Sequence, residues 1–306
     1  MLPLLILIHY HSALNENTHT QARFMKRIIF LLSILLILTA CGRLDSIPYT
    51  PAQTPENWLQ IQPFAEFNIA SQNIIFVQPS TSIIVYFLGI LTVAVGLFFL
   101  KIREHQRSRS WWGIALVLWG IGALLAGTSY EAFSYAIKCA GREACLWTSW
   151  WEILYLIVTV WSVDAMLLAV AYSSTTGKLR KALSVYAIVN AILYFVVVMV
   201  GVFIPVKILI SFELLLAICA PGILAFFFIN SWRYFKYKLK LDLILLGTWL
   251  WLGITIVAYF LYLISDNTAS LWAKGLWFSE NDVLHIGLII WMLYIAFALA
   301  PQVKDS

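Results

Sequence analysis

Charge is the scarcest commodity in this sequence. Only 11% of its 306 residues are Asp, Glu, Lys or Arg, against 62% hydrophobic residues. A soluble domain carries roughly 25% charged residues, so a water-soluble globule is excluded and the bulk of the chain has lipid as its solvent. There is no phosphate-cradling Gly-rich loop, no CxxC pair and no basic domain. The net charge of +5 comes from short basic stretches between apolar runs, which excludes a nucleic-acid partner. No internal repeat or low-complexity tract is visible.

What is present begins with Met25-Lys26-Arg27, a ten-residue apolar run and Leu38-Thr39-Ala40-Cys41. A basic start, a short apolar core, small residues and a cysteine, in that order, read as a bacterial lipoprotein signal over 25–41. Cys41 is then the lipidated residue, on the outer face of the inner membrane. The alternatives are an ordinary signal anchor or an additional membrane helix. Residues 1–24 fit no export signal and read as a start-site artefact.

A membrane span needs about 20 predominantly apolar residues. Seven segments qualify: 82–101, 111–137, 147–172, 182–204, 207–229, 241–264 and 280–300. Lys and Arg concentrate in alternate loops: Lys101, Arg103, Arg107 and Arg109, then Lys178, Arg180 and Lys181, then Arg233, Lys236, Lys238 and Lys240. Cytoplasmic loops carry that excess. The expected fold class is therefore all-α, a polytopic seven-transmembrane-helix bundle over 82–300. Its N-terminus is outside, and a cytoplasmic tail occupies 301–306. This orientation agrees with the lipoprotein signal. Trp111 and Trp112 then lie at the inner interface, and Trp147, Trp150, Trp151, Trp272 and Trp277 at the outer one, as an aromatic belt requires. Residues 42–81 form an extracytoplasmic tether or a small cap, with a β-like patch at Asn73–Val77.

Of four cysteines, Cys139 and Cys145 flank a short outer loop in a compartment where disulfides persist. A bridge there contributes about 2 kcal/mol in the chain-entropy model and ties the second span to the third. Cys219, inside the fifth span, reads as a small packing residue.

Ionisable residues within spans are costly and become functional candidates by default. They are Glu131, Glu152, Asp164, Glu213, Asp282 and His285. On the third span Thr148, Glu152, Tyr155, Thr159 and Ser162 recur at spacings of three and four, one helical face. On the second, Thr128, Glu131 and Tyr135 form a similar stripe. On the seventh, Asn281 and His285 are four apart and Asp282 precedes the histidine by three. With no Lys or Arg counted within those spans, Glu131, Glu152, His285 and Asp282 form a candidate site for a divalent transition metal such as zinc. Such an ion activates water and polarises a carbonyl. A structural hydrogen-bond network with protonated glutamates and a proton relay are the other readings of the same residues.

Gly127-Thr128-Ser129-Tyr130-Glu131-Ala132-Phe133, Trp151-Glu152-Ile153-Leu154-Tyr155 and Asn281-Asp282-Val283-Leu284-His285 occupy positions resembling the motifs of the seven-helix membrane hydrolases that include alkaline ceramidases and adiponectin-receptor-like proteins. In that resemblance Ser129 corresponds to the family serine, Glu152 to its acidic residue and His285 to the second histidine of its pair. Glu131 stands nearest the place of the second-helix histidine, and Asn281 replaces the first histidine of the pair. The resemblance implies a zinc-dependent lipid amidase.

Three functions follow as expectations. The first is a hydrolase acting on a lipid amide or ester at the outer leaflet, with Glu131, Glu152 and His285 around a metal-bound water and Ser129 or Thr128 at the oxyanion. The second is a non-enzymatic lipid or ligand sensor or scaffold, which needs a partner protein because the short loops offer no effector domain. The third, transport, lacks the paired repeats and broken helices of transporters, Pro221-Gly222 being the one break in sight. Retinal-based light sensing is excluded, since the seventh span has no lysine for a Schiff base.

Overall fold

The computed structural model describes residues 43–69 and 72–306. The signal over 25–41, with Cys41, lies outside the described residues. Seven helices are long and apolar enough to cross a membrane: Pro79–Lys101, Arg107–Ala132, Trp150–Ser174, Gly177–Phe203, Phe212–Tyr237, Lys240–Leu263 and Glu280–Leu299. These are the first to seventh spans below. Their ends differ from the hydropathy windows by a few residues, because helices continue into polar ends whose Lys and Arg stems follow the apolar surface. The fifth starts later than expected because Ser211 caps it, its hydroxyl accepting from the Leu214 N–H at 3.2 Å. It also runs unbroken through Pro221.

The third span is the hub. Some 72% of its apolar window is buried, against 22–50% in the other six, and it packs on the second, fourth and fifth spans. The first and second spans approach almost backbone to backbone through two glycine pairs. A Cβ on Gly96 would lie 2.9 Å from the Gly113 carbonyl oxygen, and one on Gly120 would lie 2.7 Å from that of Gly89. Small residues permit this closeness where water supplies no drive for helix association. Aromatic stacks lock the remaining spans. Trp249 of the sixth lies between Phe226 of the fifth, at 4.2 Å, and Trp112 of the second, at 6.0 Å. Trp119 meets Trp291 of the seventh at 5.3 Å. Ile188, Ile192, Phe228, Leu250 and Ile254 remain exposed on the fourth to sixth spans, as lipid-facing surfaces require.

Residues 43–69 and 72–78 fold into a cap. Its helix, Pro55–Gln60, is started by Thr54, whose side chain accepts from the Asn57 N–H, with Pro55 in the first turn. A hairpin follows: strand β1 (Phe64–Ile69) pairs antiparallel with β2 (Gln72–Val77), Phe64 opposite Val77. The expected β-like patch is thus β2. Gln78, at φ 44°, turns the chain into the first span. Three contacts fasten the cap to two connections at this end of the bundle, the one between the second and third spans and the one between the fourth and fifth. Pro48 bridges to Leu146, the Lys207 ammonium donates to the Pro48 carbonyl at 2.7 Å, and Arg43 donates to the Phe203 carbonyl at 2.6 Å. Leu44 and Ile47 are buried in the main core.

At the opposite end the residues after the seventh span pack down. Val303 is buried, its carbonyl accepting from Arg109 Nε at 2.8 Å. The Asp305 carboxylate takes the Arg107 and Ser108 N–H groups at 2.9 and 2.8 Å, capping the second span. Partial burial works against that charge, but hydrogen bonding from Ser108 and Arg107 and the nearby Arg180 outweigh it and hold the carboxyl below its usual range.

Candidate functional site at the cap end of the bundle

The second span ends in a π-turn over Gly127–Ala132, in which the Phe133 N–H reaches back to the Thr128 carbonyl at 3.0 Å. Such wide turns recur at functional sites. Here the turn buries both Ser129 and Glu131, and they join two different polar clusters.

The first cluster lies towards the third span. Ser129 Oγ donates to Glu152 Oε1 at 2.8 Å and lies 2.7 Å from the Ser149 hydroxyl. Glu152 Oε1 also pairs with Lys138 Nζ at 2.6 Å, and the two side chains are only 3% and 1% exposed. Lys138 ends the short helix Ser134–Lys138, directly before the Cys139–Cys145 disulfide, which forms as expected. Its ammonium sits among aromatic rings: Tyr130 at 5.0 Å, Trp58 at 5.3 Å and Tyr49 at 5.9 Å, with the Tyr49 hydroxyl at 3.4 Å. Tyr49 and Trp58 belong to the cap. Burial raises the Tyr49 hydroxyl's pKa, against the opposing pull of Lys138, so the phenol stays protonated. Trp58 also packs on the disulfide, and Cys145 N–H donates to the Gln53 carbonyl at 2.8 Å.

The second cluster joins the first and seventh spans. Asp282 closes a capping box on the seventh, its Oδ2 accepting from the Ser279 N–H at 2.6 Å and from the Ser279 hydroxyl at 3.1 Å. The same oxygen accepts from Thr81 Oγ1 at 3.0 Å. Glu131 is buried within electrostatic reach of Asp282. His285 lies one turn further along the same helix and is also buried. Glu131 Oε2, Asp282 Oδ1 and His285 Nδ1 have no hydrogen-bond partner among the described residues. Thr128 turns elsewhere, sharing a 2.8 Å contact with the Tyr86 hydroxyl and donating to the Leu124 carbonyl.

Ser129 and Glu152 are therefore brought together. The expectation that no basic group neutralises the acidic residues is corrected: Lys138, just past the expected end of the second span at 137, folds inward as the counter-ion of Glu152. That carboxylate is then not a free metal ligand. Among the described residues no three His, Cys, Asp or Glu side chains are grouped to hold a metal ion. Asp164, in the same third span, accepts from the Asn190 amide at 3.0 Å, and Glu213 is exposed in the first turn of the fifth. Tyr49, Trp58, Thr81, Ser149 and Ser279 were not legible as members of the site. For Lys138 there was one sign, its place against Cys139 at the very edge of an apolar run.

Two family models match the chain. One, described as the prokaryotic membrane lipoprotein lipid attachment site, covers residues 25–41 and ends on the expected Cys41. The other covers 81–302, the seven spans without the cap. No curated protein matches the chain in sequence.

Proposed function

The chain belongs to the Family of unknown function (DUF6962) through its seven-span bundle, and on that premise we propose that it is a lipid-anchored inner-membrane protein working as a non-enzymatic sensor or scaffold. The cap end faces outward and the end rich in Lys and Arg faces the cytoplasm, where a protein partner would read the bundle. The attachment motif at 25–41 and the alternation of basic loops support this orientation.

One observation carries the reading: the cap completes the enclosure of the Lys138–Glu152 pair. Tyr49 and Trp58 exclude water from that pair, and Glu152 opens the third span, the hub of the bundle. A ligand that shifts the cap changes the solvation of a buried ion pair, and leaving either charge of such a pair buried and uncompensated costs about 3–5 kcal/mol. That is enough to move a two-state helix arrangement. The expected behaviour of Lys138→Met in lipid nanodiscs is faster amide hydrogen exchange in residues 47–60 and 134–149 and in the first turns of the third span. Faster exchange confined to 134–149 would show that the cap is not coupled to the hub, and the reading fails.

A second reading is a metal-dependent hydrolase of a lipid amide or ester, as the resemblance to alkaline ceramidases suggests. Ser129 hydrogen-bonded to Glu152, and the unpartnered buried atoms of Glu131, Asp282 and His285, speak for it. The three are not grouped around one point among the described residues, so they would hold the ion only after drawing together, and it would then supply a Lewis acid and an activated water. Metal analysis of purified protein separates the readings. About one equivalent of zinc, lost in His285→Ala, favours the hydrolase; metal-free protein of unchanged stability removes it.

A further inference from the structure

Beside the cap, a groove of about 680 Å³ opens between three pieces of chain. One wall is the end of the cap helix and its following turn, at Ile61 and Pro63. Another is the interfacial helix Asn267–Ala273, which carries Trp272, and the third is Trp277 with Glu280 at the start of the seventh span. The piece before the seventh span is itself tied to the bundle, the Trp277 carbonyl accepting from the Ser80 hydroxyl. Of the lining residues only Asp266 and Glu280 are charged, both negative; neither Lys nor Arg lines it. Glu280 is held in place by Thr268, whose hydroxyl donates to its Oε2 at 2.6 Å.

We propose that this groove binds an organic ammonium group carried on an apolar body. Two carboxylates in a lining that holds no Lys or Arg, with Lys274 just beyond Ala273, repel anions and draw a cation. Indole faces favour a diffuse, weakly hydrated ammonium over a hard metal ion, and the apolar lining residues Ile61, Pro63 and Leu263 accept a hydrocarbon portion. The same chemistry occurs in the amine head of a phospholipid and in a free alkylamine. This inference deepens the sensor reading by giving it a ligand class, and it rests on that reading for its meaning. Its binding isotherm can fail while the hydrogen-exchange result stands, and the reverse.

The test is isothermal titration of the full protein in nanodiscs with hexyltrimethylammonium, with hexyl sulfate as the control of equal chain length. The ammonium is expected to bind saturably and the sulfate not to bind. The double variant Asp266→Asn/Glu280→Gln is expected to lose at least about tenfold in affinity. Both replacements keep shape, and asparagine tolerates the left-handed backbone of Asp266 at φ 54°. Trp272→Ala, on a helix without buried residues, serves as the second variant and is expected to weaken binding as well. Binding that is absent, equal for the sulfate or unchanged in both variants overturns the proposal. Two disc compositions then name the source. Weaker apparent affinity in phosphatidylethanolamine than in neutral galactolipid discs marks a lipid head competing for the groove, and equal affinity marks a soluble amine.

Discussion

Lys138 and Glu152 illustrate how a single contact redistributes meaning among residues. Taken alone, a glutamate in an apolar helix invites a metal ion or a proton; with an ammonium at 2.6 Å it is satisfied. The stripe Thr148, Glu152, Tyr155 was legible because helical periodicity places those residues on one face. Its partner was not, because Lys138 reaches Glu152 across a chain reversal that local sequence does not encode. The energetics make the pair testable. Lys138→Met leaves a buried carboxylate uncompensated, and the expected loss is about 3–5 kcal/mol, whereas the double replacement Lys138→Met/Glu152→Met removes both charges and should recover most of it. Denaturation midpoints in detergent for the two variants check this. Equal destabilisation by the single and double replacements would mean that the ion pair contributes little and that packing around Tyr130 and Trp58 dominates.

Helix packing reads differently from side-chain chemistry. Seven apolar runs announce seven spans, because the length that crosses a bilayer is fixed and hydropathy measures it directly. Which helix is the hub is not written in hydropathy at all: the most buried span, the third, has a mean hydropathy of 2.2, within the range of the lipid-facing ones. Four glycines do carry a signal, since Gly89 and Gly96 are seven apart, as are Gly113 and Gly120, a spacing of two turns that returns to the same face. The structure uses them for close contact, and a side chain there has nowhere to go. Gly96→Leu is expected to force the first two spans apart at a cost of about 1–3 kcal/mol or more. Gly253, whose surroundings are open, should accept leucine with little effect. A thermal-stability comparison of the two variants in the same detergent decides it: equal midpoints would contradict the backbone-to-backbone packing.

At the level of the whole molecule the two ends are built on different principles. The cap end is closed by a disulfide, a caged ammonium and capping carboxylates, with Asp45, Glu56, Glu66, Asp266 and Glu280 in its covering segments. The other end holds Lys101, Arg103, Arg107, Arg109, Lys178, Arg180 and Lys181, and the segment after the seventh span is drawn across it by Asp305 and by Arg180 donating to the Ser306 carbonyl at 2.7 Å. Seven helices oblige successive connections to alternate between ends, so the side assigned to any one of them fixes the rest. The proposed orientation, with the cap in the periplasm, rests on the attachment motif that ends at Cys41 and on the excess of Lys and Arg at the other end, two signals of unrelated physics: one by export of a signal segment, the other by retention of positive loops. Single cysteines at two exposed positions, Glu143 and Lys238, therefore have opposite expected fates. With Cys219 buried and Cys139 bonded to Cys145, a membrane-impermeant maleimide added to intact cells should label Glu143→Cys and leave Lys238→Cys untouched until the membrane is opened. The reverse pattern would invert the molecule and turn the ammonium groove to the cytoplasm. The Lys138 centre would then be a device for sensing the cell interior.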